Sequence, residues 1–254
     1  MRSLKIQSSG YSRRNTIYID KPNEDYYYID DKNMIYGVFD GVSRDRTTNG
    51  YPNPSPSKAI AYLCAQYMHN YLIKRMQSEC FTEKSLKESL IYANNKIKKY
   101  NSHSHYKFLP GTVCVICHIA ENILYYAYIG DCALRIINHK KVNTLSIPQT
   151  RFVQQNKSQL DTYQIRYNIC NNPNHPYGYG VINGDNFAER FIITGSRRIV
   201  SSNVILLSSD GAEEYINDLT ADQILDMSPE VIINNSYASE EKSDDKTIIK
   251  VAIL

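Results

Sequence analysis

Met34-Ile35-Tyr36-Gly37-Val38-Phe39-Asp40-Gly41-Val42-Ser43 is the stretch whose reading decides the fold. Its first six residues are rich in β-branched and aromatic side chains, the composition of a strand. The strand runs without interruption into Asp40-Gly41. An ionised carboxylate at the end of an apolar strand is costly unless something compensates it. Gly41 lets the backbone turn sharply and lets a ligand approach its carbonyl closely. Taken alone, this is a strand ending in an Asp-Gly turn. The rest of the chain repeats the pattern.

Moving outward, Asp25-Tyr26-Tyr27-Tyr28-Ile29-Asp30 reads as the preceding strand, with Asp30-Asp31-Lys32-Asn33 as the turn between the two. The adjacent carboxylates Glu24-Asp25 stand at its start. Residues 43–57, rich in Pro, Ser, Asn and Gly, form a loop. Ile60, Leu63, Tyr67, Met68, Tyr71, Leu72 and Met76 then share one face of a helix. A second helix is capped by Thr82, with Phe81 and Leu86 spaced as a hydrophobic staple, and it carries Leu90, Ile91 and Ile97. Gly111–Ala120, Ile123–Ile129, Asp131–Ile137 and Val142–Ile147 read as a meander with a Gly130-Asp131 corner. The Asn/Gln-rich stretch 148–186 is weakly patterned and is expected to be a mobile flap; its glycines do not make a phosphate-cradling loop. Ala188–Thr194 and Val204–Ser209 resume as strands, the second ending in Asp210-Gly211. Short helices capped by Thr220 and Ser228 follow, and Asp244-Asp245 leads into a last strand, Thr247–Leu254.

Strands, two helices, more strands, short helices and a final strand favour an α+β fold with antiparallel sheets over an alternating parallel one. No repeat, linker or composition break divides residues 1–254, which read as one domain. At 42% hydrophobic, 22% charged and net charge +3 the chain has ordinary globular composition. Its short basic clusters do not make a nucleic-acid stripe, no segment approaches a membrane span, and the oligomeric state stays open. Six cysteines without a secreted-scaffold pattern suit a reducing cytoplasm. Cys114 and Cys117 fall at odd spacing in a strand and point to opposite faces, so they read as packing residues. His103 and His105 lie in a Ser/Asn-rich connector, where a metal role is remote.

Asp40, Asp131, Asp210 and Asp244 all adjoin a strand end and a turn, and Glu24-Asp25 add two carboxylates at a strand start. Gathered at one sheet edge, they would repel one another by about 4 kcal/mol per pair at about 4 Å and an effective dielectric of about 20. All-oxygen ligands call for hard ions, Mg²⁺ or Mn²⁺. Two such ions sharing a carboxylate would activate water for attack on phosphorus.

Asn23-Glu24-Asp25, Val38-Phe39-Asp40-Gly41, Gly111-Thr112, Ile129-Gly130-Asp131, Leu207-Ser208-Ser209-Asp210-Gly211 and Asp244-Asp245-Lys246-Thr247, in this order, resemble the metal-dependent protein phosphatases of type 2C. The resemblance spans residues 7–254 and implies a four-layer αββα sandwich with a binuclear Mg²⁺ or Mn²⁺ site at one end of the sheets. It implies Asp40 as the bridging ligand, Asp210 and Asp244 on one metal, and Glu24 and the Gly41 carbonyl on the other. Asp25 would be a supporting carboxylate, and Asp131 with Glu214 would serve a third, weaker ion. Asp40 and Asp210 would carry catalysis. The implied reaction is hydrolysis of phosphoserine or phosphothreonine in a protein substrate by metal-activated water. The chain departs from the family at Val42-Ser43-Arg44, where many members carry Gly-Gly, and at Asp20, where members place a phosphate-holding Arg. Arg13, Arg14 and Lys21 are the candidate replacements at the phosphate. These departures also motivate an alternative: a catalytically weak phosphatase-fold module that binds phosphorylated partners.

Overall fold

The computed structural model describes residues 5–43, 48, 50–77, 81–103, 106, 108–139, 141–156, 158–239 and 244–254. Among the described residues ten strands divide into two antiparallel sheets. One sheet is ordered β1 (Ile6–Arg13), β10 (Lys246–Ile253), β9 (Val204–Ser208), β6 (Ala133–Asn138), β7 (Lys141–Thr144). The other is ordered β2 (Tyr26–Asp30), β3 (Ile35–Gly41), β4 (Thr112–Ala120), β5 (Ile123–Ile129), β8 (Ile193–Arg198).

The alternation of β3 shows how the layers arise. Tyr36 and Val38 point between the sheets, where they meet Val115, Leu134, Leu207, Ile249 and Val251. Ile35 and Phe39 point the other way, onto Ile60, Cys64, Met68 and Leu72 of α1 (Pro56–Met76) and Leu90 and Ile97 of α2 (Glu83–Asn101). On the far side, Leu206 and Ile248 pack against Ile216, Ile224, Ile232 and Ile233. These belong to α4 (Glu213–Asp218), α5 (Ala221–Asp226) and α6 (Pro229–Ser239). The result is a four-layer αββα sandwich. Each fully buried Leu, Ile or Phe contributes about 1.5–3 kcal/mol relative to exposure. Cys114 and Cys117 do face opposite ways, one toward the helices and one between the sheets.

The structure redraws the sequence reading at three places. The expected meander is two hairpins in different sheets: β4–β5 lies in one, β6–β7 in the other, and the chain crosses over at Gly130-Asp131-Cys132. Gly130 makes that crossing at φ +88°, where an added Cβ would lie 2.3 Å from Val113 Cγ1. Ala188–Thr194 is not a strand. Asp185 caps a 3-10 helix over Asn186–Phe191 by accepting from the Phe187 amide at 2.7 Å, and β8 begins only at Ile193. The stretch 148–186 holds α3 (Arg151–Gln155) and a π-helix over Gln164–Ile169. A bridge between Thr112 and Ile182 ties that stretch to the start of β4. Among the described residues no helix is long and apolar enough to cross a membrane. His103 is exposed; His105 lies outside the described residues.

Candidate metal centre

Asp40 has the parity of Tyr36 and Val38 along β3, so its side chain emerges where the inter-sheet layer ends. The backbone there is fixed from both sides. Thr112 Oγ1 donates to the Asp40 carbonyl at 2.7 Å, and the Val42 amide donates to the Gly111 carbonyl at 3.0 Å. Gly41 is packed so closely that an added Cβ would lie 2.7 Å from the Glu24 carbonyl oxygen. That contact is the physical reason for glycine after Asp40.

Four further carboxylates meet Asp40 at this end of the sheets. Burial raises the Asp40 carboxyl well above the usual range, and Asp25, Asp210, Asp244 and Asp131 push it further in that order. Asp210 is raised in the same way by burial and then by Asp131 and Asp244. Asp25 is pushed up to about 7 by burial and by Asp245, although Ser209 and Thr247 partly hold it down. Asp131 is raised by burial against the opposing hydrogen bond from Thr150. In each case the ionised form is short of positive charge.

The hydrogen bonds place these groups. Asp25 Oδ2 accepts from Ser209 Oγ at 2.7 Å, whereas its buried Oδ1 has no partner. Asp210 Oδ1 is likewise buried and unpartnered. Asp131 Oδ2 accepts from Thr150 Oγ1 at 2.6 Å and Gln154 Nε2 at 3.3 Å, so α3 borders the cluster. Arg166 of the π-helix donates to the Ser43 carbonyl at 2.6 Å, tying the same stretch to the loop after Gly41. Arg44, the last residue of the altered Val42-Ser43-Arg44, lies outside the described residues.

Glu24 occupies an adjoining pocket. It is fully buried and accepts from Tyr51 Oη at 2.6 Å and from Ser55 Oγ. Ser55 is also the N-cap of α1, accepting from the Lys58 amide at 3.2 Å. The carboxylate therefore sits by the positive end of a helix, which favours its charge. Its carboxyl is raised by burial, with Ser55, Tyr51 and Lys21 pulling it back.

Lys21 lies buried among acids, its Nζ 3.3 Å from Asp244 Oδ1, 3.3 Å from Asp245 Oδ2 and 3.6 Å from Glu24 Oε2. Burial disfavours its charge, but Asp244, Asp245 and Glu24 outweigh that and hold the amine protonated. Arg13 donates to Asn234 at 2.8 Å and lies over the Tyr237 ring. Arg14 is exposed, and Glu214 is exposed on α4.

Asp245 joins several segments. Its Oδ1 accepts from the Asn15 amide at 2.8 Å and its Oδ2 from the Glu24 amide at 2.9 Å. It appears in the sequence only as half of an Asp-Asp pair, and Ser55, Tyr51 and Thr150 carry no motif at all.

Among the described residues no three acidic, histidine or cysteine side chains already form a metal-holding group. The carboxylates gather without closing on one point. Their chemistry nevertheless fits hard divalent ions, because the donors are all oxygen and two buried carboxylate oxygens lack a partner. Asp40, Asp210, Asp244, Asp131 and Asp25 are the side chains that would hold such ions.

No family model matches this sequence, and no curated protein does. Solved structures do. The Mycobacterium tuberculosis serine/threonine phosphatase PstP/Ppp superposes with a TM-score of 0.74 at 15% identity, covering 99% of this chain and 99% of that one. The fold is that of the PPM-type serine/threonine phosphatases. The PstP catalytic domain in complex with two manganese ions matches at TM-score 0.71 and 15% identity, covering 99% of this chain and 100% of that one. MsPP of Mycobacterium smegmatis, a PPM Ser-Thr phosphatase in complex with cacodylate, matches at TM-score 0.65 and 14% identity over 98% of both chains. The PPM fold accounts for the strand-end convergence: Asp40 and Asp25 come from one sheet, Asp210 and Asp244 from the other, and Asp131 from the crossing between them.

Proposed function

We propose that this chain is a metal-dependent protein serine/threonine phosphatase that hydrolyses phosphoserine and phosphothreonine in protein substrates, acting in the cytoplasm. The observation that carries the reading is the gathering of Asp25, Asp40, Asp131, Asp210 and Asp244, two of them with orphaned buried oxygens, where the two sheets end. Asp40, Asp210, Asp244 and the Gly41 carbonyl would hold two Mg²⁺ or Mn²⁺ ions, with Glu24 and Asp25 as supporting carboxylates. Asp131 would hold a third, weaker ion, with Glu214 as its outer acidic partner. When bound, such ions neutralise the cluster and activate water for in-line attack on phosphorus.

The chain's own residues supply the rest. The Asp40 and Asp210 carboxylates would orient what binds where the two sheets end. Thr112 holds the Asp40 carbonyl, Gly111 holds the Val42 amide, and Ser209 holds Asp25. Of the three cations considered for the substrate phosphate, Arg14 is exposed one residue before the Asn15 that binds Asp245. Its guanidinium, which donates to the Ile19 carbonyl at 3.3 Å, is the one we assign to the substrate phosphate, with Arg13 and Lys21 as neighbouring positive charges.

The test is phosphate release from a phosphothreonine peptide in Mn²⁺, with and without chelator, for the wild type, Asp40→Asn and Asp210→Asn. Metal-dependent release by the wild type and its loss in both variants is expected. Chelator-insensitive release, or full activity in both variants, would refute the mechanism. Engagement of Lys21 by three carboxylates favours a second reading, a phosphatase-fold module that binds metal and phosphorylated partners with little turnover. Mn²⁺-induced thermal stabilisation without phosphate release would select it.

A further inference from the structure

The Lys21 side chain is 5% exposed, and its ammonium faces Asp244 and Asp245 at 3.3 Å each and Glu24 at 3.6 Å. An ammonium has three donors and no acceptor, and here three carboxylates surround it. Its position is fixed by the chain, because the Lys21 amide closes a turn onto the Tyr18 carbonyl at 3.0 Å. Asp245 is pinned in turn by Asn15 and the Glu24 amide. Asp244 differs: its side chain is 45% exposed, and its Oδ1 accepts from Lys21 and from the Asp245 amide at 2.9 Å. The carboxylate nearest solvent is therefore held through one oxygen by a charge that belongs to the protein.

We propose that Lys21 is a tethered cation built into the metal centre. It offsets part of the carboxylate repulsion when no ion is bound, and it weakens the hold on a divalent ion at Asp244 by competing for that carboxylate. The inference rests on the reading of the cluster as a divalent-ion site. A protein relying on ions alone for compensation would carry uncompensated acid at Glu24, Asp244 and Asp245 whenever they leave. Here a monovalent charge remains in place. The departure at Asp20 fits this arrangement, since Asp20 accepts from the Tyr51 amide at 3.1 Å and Tyr51 in turn binds Glu24.

The experiment compares wild type with Lys21→Met, which keeps an apolar stem and removes the charge. Mn²⁺ binding to the metal-stripped proteins is measured by calorimetric titration, and unfolding is followed by heating in chelator. Lys21→Met should bind one Mn²⁺, the ion that Asp244 would hold, about tenfold tighter (about 1.4 kcal/mol) and melt at lower temperature in chelator. Equal or weaker Mn²⁺ binding in the variant overturns the role of Lys21. A wild type that binds no Mn²⁺ overturns the divalent-ion reading itself. If Lys21→Met folds only in the presence of metal, the variant purified in Mn²⁺ is chased with excess chelator. Release about tenfold slower than wild type supports the tethered cation, and equal or faster release overturns it.

Discussion

Replacing Asp25 by asparagine should stabilise the metal-free protein above neutral pH and do distinctly less in mild acid. Asp25 is 6% exposed, and its carboxyl is raised from 3.8 to about 7 by burial and by Asp245. At about 1.4 kcal/mol per tenfold change in proton affinity, keeping it ionised costs the fold up to about 4 kcal/mol. Because the folded-state value is the higher one, the protonated native form carries the benefit. The associated stability is whole below about pH 4 and drains away as pH climbs through about 7. The Asp25→Asn side chain would retain an acceptor for Ser209 Oγ without the charge, so at pH 8 the variant should recover a large part of that cost. Recovery of half, about 2 kcal/mol, raises Tm by about 4–8 °C in a chain of this size. Urea unfolding of both proteins in chelator at pH 5 and pH 8 is the assay. The expected gap is wide at pH 8 and less than half as large at pH 5. An equal gain at both values, or none at pH 8, would refute the electrostatic reasoning. Saturating Mn²⁺ should shrink the gap by supplying the missing positive charge to the wild type.

Two further outcomes follow from packing around Asp210. Gly211→Ala would place a Cβ 2.1 Å from the Asp245 carbonyl oxygen, so backbone must move. A loss of about 1–3 kcal/mol and a smaller Mn²⁺-induced rise in Tm are expected, read by thermal unfolding with and without metal. Arg135 is 2% exposed and clasps Glu213 through two bonds of 2.8 and 2.5 Å, while also donating to Asn217 at 2.9 Å. Arg135→Met should cost about 3 kcal/mol in urea unfolding. A double-mutant cycle with Glu213→Gln should show strong coupling between the two.

Much of the fold was legible because its signals are local. The alternation in β3, the helical face from Ile60 to Met76 and the Thr220 cap each follow from a few neighbouring residues. The crossing at Gly130 was not legible, since a period of two reports which face a side chain takes but not which sheet its strand joins. The 3-10 helix at Asn186–Phe191 was missed because Asp185 supplies a cap that competes with an apolar strand-like run. The acidic strand ends were visible as a set. What surrounds them was not. Tyr51 and Ser55 reach Glu24 across 27 and 31 residues, and Lys21 meets Asp244 from 223 residues away. Nothing in the local sequence of any of these residues announces its partner.

The pairing of β1 with β10 has a consequence for synthesis. Ile6 lies opposite Ile253 and Arg13 opposite Lys246, and β10 separates β1 from β9 within its sheet. During translation β1 must wait, unpaired on that side, until residues 246–253 have left the ribosome, and only their arrival brings Asp244 and Asp245 beside Lys21 and Glu24. The acids of the proposed metal centre thus come together only after the chain has been made through residue 253. A polypeptide cut off before Asp244 would lack both the strand that joins β1 to β9 and two of the acids that gather beside Lys21 and Glu24.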